Sequence, residues 1–406
     1  MRYALLLVLA STLVAKDSCL TCHANLQGSL QQPAAAFSAS VHFQQGFTCA
    51  DCHGGDPNSD DPETAMNAAK AFIGIPARTD IPKLCARCHS DPNFMRKYNP
   101  RERVDQYSEY QTSVHGQRLR AGDTQVATCI DCHSAHDIRP VRDPMAPVHP
   151  LRVPQTCAHC HANEAHMAKY LIPTNQYDGY LKSVHWQELS KRGDLSAPTC
   201  ATCHGNHGAK PPDVSSVAAV CGTCHVLEEQ RFQRSPHQAA FAAMQAGTCV
   251  VCHSNHAIVQ TSDQMLTGDT AVCARCHSSD STGGSAAAQM AAMIRNLKDA
   301  LKRTDEILAR AQRDGMEVSE AIARQTETRQ ALIKARSEIH AFNVAAMAAP
   351  VKTGLAVAAA NYRAGEDAMH ERNVRREGLV VSLLGVGITI AGLVAAIRQI
   401  GGKRRV

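Results

Sequence analysis

Aromatic side chains are scarce. Trp186 is the only tryptophan, and Phe, Tyr and Trp together make up 4% of 406 residues. Apolar side chains are also sparse from about residue 16 to 283, so a conventional hydrophobic core is not expected there. There is no basic tract with interleaved aromatics, which excludes a nucleic-acid surface. The formal net charge is only +5. Nothing resembles a nucleotide loop, a hydrolase triad or a flavin site. The acidic run DPNSDDPE (56–63) has calcium-like composition, but reads as a solvated loop.

Unpatterned cysteine is the most telling absence. All eighteen cysteines fall in C-x-x-C-H motifs. The cysteine pairs are Cys19/Cys22, Cys49/Cys52, Cys85/Cys88, Cys129/Cys132, Cys157/Cys160, Cys200/Cys203, Cys221/Cys224, Cys249/Cys252 and Cys273/Cys276. Each pair is followed at once by a histidine: His23, His53, His89, His133, His161, His204, His225, His253 and His277. Cys200, Cys203, Cys221 and Cys224 also fit a zinc spacing, and an exported chain can form disulfides. Neither alternative needs a histidine after every second cysteine. The motif is the attachment signature of c-type haem, in which two thiols bond the vinyl groups and the histidine ligates iron. Nine covalent haems c are therefore expected. Their eighteen propionates offset the basic formal charge, with Lys83, Arg87 and Arg275 as expected propionate partners.

Haem c is attached outside the cytoplasm, and the termini agree with that. Residues 1–15 read as a cleaved signal peptide: Arg2, then an apolar run too short to span a bilayer. At the other end, residues 379–397 carry no charge over nineteen positions, enough for one membrane-spanning helix. Basic residues flank this run on both sides, so haem chemistry, not charge bias, sets the expected orientation. The expected organisation is a signal peptide (1–15), a haem-packed multihaem cytochrome domain (16–283) and a helical domain (284–377). A transmembrane helix (378–398) and a cytoplasmic tail (399–406) complete it. The fold class is mostly α with long loops. In the helical domain, Met290, Ile294, Leu297, Leu301, Thr304, Leu308 and Ala311 advance by alternating fours and threes, a coiled-coil-like stripe. Asp314-Gly315 should end that helix. A second is expected over 318–347 and a third from Pro350 into the membrane span.

An internal repeat runs through the haem region. Each unit holds an opening C-x-x-C-H, then an aromatic-x4-His segment, then a second C-x-x-C-H. The segments end in His42, His115, His185 and His237, five residues after Phe37, Tyr110, Tyr180 and Phe232. These histidines are expected to close the sixth site of an iron, with the aromatics against porphyrin. Three second motifs continue to another histidine: His136, His207 and His256; the first has Asp56 there. These sit one helical turn beyond a proximal histidine, so each should reach the iron of a neighbouring haem. Seven distal ligands serve nine irons. Among His149, His159, His166, His340 and His370, the reading takes His166 and His340 as further ligands, and twelve methionines leave methionine ligation open.

The paired C-x-x-C-H and C-x-x-C-H-x-x-H motifs with S-V-H segments between them resemble the doubled-motif multihaem c-type cytochromes of bacteria. The layout of cysteine-free helices after the last motif is similar to octahaem hydroxylamine oxidoreductases and pentahaem nitrite reductases. The C-x-x-C-K motif of the latter has no counterpart here. The resemblance implies a membrane-anchored electron carrier between an inner-membrane, quinol-linked redox partner and periplasmic or extracellular acceptors. Two other readings stand beside it: an oxidoreductase of a small nitrogen or sulfur oxyanion with one five-coordinate haem, and a structural building block.

Overall fold

The structure is a computed structural model describing residues 17–213, 216–268 and 270–402. The expected signal peptide and the last four residues of the tail lie outside them. The described residues contain helices and loops and no strand. They divide into two compact units, one within 1–213 plus 253–260, the other within 214–252 plus 261–406. The division does not fall at residue 283: part of the haem-motif region packs with the long helices.

The first unit is built from short helices, and the haem motifs themselves are helical for reasons visible in their flanks. The second motif of each repeat follows a threonine. Thr48 and Thr128 form capping boxes with Asp51 and Asp131, and Thr199 does so with Thr202. Each box satisfies two orphan N–H groups of a five-residue helix that ends on the proximal histidine. The opening motifs at 85 and 157 lie instead at the ends of helices Ile81–His89 and Val153–His161. There Pro82 and Pro154 preset the first turn, where a missing N–H costs nothing. The apolar cluster of this unit is small: Tyr110, Leu119 and Val126, with Tyr170 against them.

The second unit has a conventional core. Helices Thr282–Arg313, Ser319–Glu338 and Val344–Gly402 pack together. The expected stripe faces inward: Met290, Ile294, Leu297, Thr304, Leu308 and Ala311 are buried, and Leu301 packs against them. The first helix ends at Arg313, where Gly315 takes a left-handed φ of 78°. Two boundaries differ from expectation. The second helix stops at Glu338, not 347, because Phe342 adopts a left-handed φ of 50° after a short 3-10 turn. The third begins at Val344 and contains Pro350 within it. The side chain of Asn343 accepts from the Ala345 N–H and supplies the start signal.

That third helix is 59 residues long, roughly 90 Å at 1.5 Å per residue. Its first half is buried against the other two at Met347, Val351, Ala358 and Ala368. From Leu379 to Ile397 its apolar side chains are exposed all round. A helix apolar on every face does not stay in water; this one is long and apolar enough to cross a membrane.

Within the bundle lies a buried polar layer. Gln325 accepts at Oε1 from both Thr328 Oγ1 and Asn361 Nδ2, each at 3.1 Å, and donates to Leu301 O. Thr304 bonds Ala300 O and Ala358 O. Such a layer pins the register of helices whose other contacts are interchangeable apolar ones.

Candidate haem-binding sites

The histidines meet in pairs. Ring centres are 6.0 Å apart for His42–His89, 6.2 Å for His53–His136 and 6.2 Å for His115–His161. They are 6.1 Å apart for His133–His207, 6.0 Å for His204–His256 and 5.9 Å for His237–His277. In every pair one member ends a C-x-x-C-H motif and the other is an expected distal ligand. Two metal–nitrogen bonds of about 2 Å, plus about 1 Å from each nitrogen to its ring centre, give ~6 Å. Each gap is therefore the size of one iron.

The electrostatics fit that use. Burial first and the facing imidazole second lower the pKa of His42, His115, His136, His237 and His256, and push His133 down to about 4. The rings are thus held neutral, as a metal ligand must be. In two proximal rings the other nitrogen meets a backbone carbonyl: His23 Nδ1 with Leu30 O at 3.0 Å, His53 Nδ1 with Gly74 O at 2.8 Å. That contact fixes the tautomer and leaves Nε2 for iron. His340 Nδ1 makes the same contact with Ser337 O at 3.1 Å, and burial first, with Arg231 and His225 nearby, lowers its pKa against the opposing pull of Ser337 O and Glu228. This sets His340 apart from an ordinary polar helix position.

The doubled-motif histidines arrive by a route other than the expected one. The motif helices end on His53, His133 and His204, so His136 and His207 are not one turn further along the same helix. The next residue reverses the chain at positive φ: Gly54, Ser134, Gly205 and Ser254 at 69°, 66°, 82° and 65°. With ψ of 175°, Ser134 occupies a region normally reserved for glycine. This strained corner carries the second histidine away from its own motif and toward the proximal ring of the preceding repeat's doubled motif.

The aromatic-x4-His segments share a hydrogen-bond scheme that sequence reading missed. Ser40, Ser113, Ser183 and Ser235 are buried N-caps two residues before each histidine. The hydroxyls of Ser113, Ser183 and Ser235 donate to Tyr110 O, Tyr180 O and Phe232 O. Tyr110 and Tyr180 in turn donate to Ala127 O and Pro198 O, just ahead of the following motif. The tyrosines therefore tie segment to motif. The S-x-H triplet repeated four times was the available signal.

The segments also interlock. Val41 N–H donates to Ile138 O at 2.8 Å, Val114 N–H to Ala209 O at 3.0 Å and Val184 N–H to Ile258 O at 2.7 Å. Each acceptor lies two residues beyond His136, His207 or His256. One repeat is thereby clipped to the doubled motif of the next. The fourth copy has Pro236, which has no N–H to give, at the same place. Val114→Pro should thus cost about 1 kcal/mol in denaturant unfolding, the net worth of one hydrogen bond, with haem content unchanged. An unchanged midpoint would deny the clip.

Within each unit the cysteines of consecutive motifs lie within electrostatic range of one another. Cys49 interacts with Cys19, Cys52 with Cys85, Cys132 with Cys160, and Cys252 with Cys273. The side chains of Cys85 and Cys129, Cys157 and Cys200, and Cys221 and Cys249 are in hydrogen-bond contact. All eighteen are free of disulfides. Among the described residues no group of three or more His, Cys, Asp or Glu converges as a zinc site would.

The two thiols of a motif are not placed alike, which the spacing gave no reason to expect. Every first cysteine is half-buried, whereas Cys22, Cys52, Cys203, Cys224 and Cys276 among the second ones are exposed. Cys22 and Cys276 are two of these exposed thiols. They belong to the first and last motifs, each of which has a neighbouring motif on one side only. Cys22 lies within helix Ser18–Ala24 yet is left open to solvent. Cys276 falls just outside a 3-10 turn, Cys273–Arg275, so the last motif does not close into an α-helix. An i, i+3 pair shares one face only while the helix continues. Both thiols are left exposed, and Cys276 lies within electrostatic range of Cys252 of the motif before it.

Arg87 and Arg275 each have part of the guanidinium engaged. They donate to carbonyls of the neighbouring motif, Asp51 O and Cys52 O in one case and Val251 O in the other. Of the remaining expected ligands, His185 stands at the third S-V-H position. His166 lies beside Tyr170, its ring centre 5.9 Å away, and is not brought into a histidine pair. His149 is buried, with its Nδ1 accepting from Leu151 N–H.

Thiol pairs followed by a proximal histidine, repeated and matched with distal histidines across iron-sized gaps, define a cytochrome with covalently bound haem c. The chain is a multihaem c-type cytochrome. Residues 41–162 match the family model of cytochrome c3, and residues 241–282 that of the doubled CXXCH motif. No curated protein and no solved structure matches the chain.

Proposed function

We propose that the chain carries nine haems c and relays electrons between a quinol-oxidising partner in the inner membrane and periplasmic or extracellular acceptors. Each haem supplies a one-electron iron couple, while the protein sets spacing, ligation and potential. The closeness of consecutive motifs at their cysteines carries this reading, since it strings the attachment points into a series within each unit. His42, His115 and His237 are the distal ligands opposite His89, His161 and His277; His136, His207 and His256 serve opposite His53, His133 and His204. His185 and His340 are also axial ligands. Bis-histidine ligation favours low potentials.

The apolar end of the third long helix anchors the protein with its haems on the periplasmic side and a short cytoplasmic tail. Residues 1–15 direct export and are removed. The test is a mass measurement joined to a reduction assay. The mature protein should exceed its polypeptide mass by nine haems, and quinol should reduce the haem bands in native membranes but not in the purified protein. A bare polypeptide mass, or no quinol-dependent reduction in membranes, overturns the reading.

A further inference from the structure

The repeat has a register, and the register has a first member. Distal histidines of the S-x-H segments serve the opening motif of the following repeat: His42 lies opposite His89, His115 opposite His161, and His237 opposite His277. Histidines of the doubled motifs serve the preceding repeat: His136 lies opposite His53, His207 opposite His133, and His256 opposite His204. His23 opens the first repeat. No S-x-H segment precedes it to supply a ring.

The first doubled motif differs at Asp56. Where the other doubled motifs carry a histidine, the chain places an aspartate whose carboxylate pairs with Lys70 at 2.5 Å. Among the described residues His23 has no ring partner, although its Nδ1 contact with Leu30 O prepares Nε2 for iron like that of His53. His149 is held in the turn before the fifth motif, and His166 lies near His161 and Tyr170.

We propose that the iron held by His23 is the open one, with a sixth position that binds a small lone-pair donor: a small anion on ferric iron, a diatomic on ferrous iron. Access at the distal face is what separates ligand-binding haems from pure electron carriers. The site stands at one end of the string of motifs, with the motif of Cys49 next to it, so a bound ligand would lie one step from the relay. The alternative activity, reduction of a small nitrogen or sulfur oxyanion, would be located here. The inference rests on the axial pairing proposed above.

Carbon monoxide titration of the dithionite-reduced holoprotein tests it, with haem number measured by mass on the same sample. The expected result is one carbon monoxide bound per chain and one high-spin ferric haem in the oxidised protein, the rest low-spin. In the Cys19→Ala/Cys22→Ala variant, one haem and the whole carbon monoxide response should vanish together. A full haem complement with no carbon monoxide binding and no high-spin signal overturns the inference while leaving the relay intact. Carbon monoxide binding that survives loss of the first haem overturns it too. A deficit of haem in the parent protein instead strikes the relay itself. Should the double variant fail to fold, the wild-type stoichiometry and high-spin signal still decide.

Discussion

Frozen oxidised protein will show two distinct low-spin ferric populations in electron paramagnetic resonance. The pairs from doubled motifs have nearly parallel rings, at 17°, 10° and 11°. The pairs from S-x-H segments are steeply crossed, at 81°, 61° and 81°. Parallel imidazole planes act on the same iron d orbital and split the set, giving rhombic spectra. Crossed planes leave two orbitals nearly degenerate and give a strongly anisotropic signal with a single large g value. Each population should account for at least three haems. The two classes also alternate along the chain, since second motifs take one and opening motifs the other. Replacing His207 with glycine should remove one haem from the rhombic class and create a new high-spin site, leaving the crossed class intact. A single homogeneous low-spin signal would refute the two geometries.

Truncating Gln325 to alanine should destabilise the helical bundle by about 3–5 kcal/mol in denaturant unfolding. The estimate has two parts. Asn361 Nδ2 and Thr328 Oγ1 lose their common acceptor inside the core, and the removed side chain leaves a cavity. Asn361 already has a buried Oδ1 without a partner, so the layer has no spare hydrogen bond with which to recover. Converting Gln325 and Asn361 together to leucine should restore most of the loss, because apolar pairs of similar volume need no partner. If the double variant is as unstable as the single one, packing rather than hydrogen bonding dominates the layer.

The number and place of the haem motifs were legible in the residues, because attachment chemistry demands two thiols and a histidine within five consecutive positions. How far each thiol is enclosed was not: the second cysteines read alike in the sequence, yet Cys22, Cys52, Cys203, Cys224 and Cys276 are exposed while the other four are half-buried. The heptad stripe from Met290 to Ala311 was as legible as the motifs, since burial of one helix face leaves a periodic trace. So was the apolar run at 379–397, whose length alone bears on a bilayer. Helix ends were less so. Phe342 takes a left-handed conformation that its side chain does not advertise, and it moved the end of the second long helix by several residues. The expected route of His136 and His207 along a continuing helix failed for a similar reason: the corners at Ser134 and Gly205 look no different from ordinary helix ends in the sequence.

Which proximal ring faces which distal ring was decided by tertiary structure alone. A histidine pair across an iron joins segments about 40 to 80 residues apart, and no local propensity encodes such a pairing. It follows from where the clip between Val41 and Ile138, and its two copies, sets one repeat against the next. The sequence by itself determined that haem is bound and how often the motif recurs, because covalent chemistry is local. The folded chain determined the register of the repeats, hence the crossed and parallel ligand planes and the first histidine left without a partner, because those are properties of segments meeting in space.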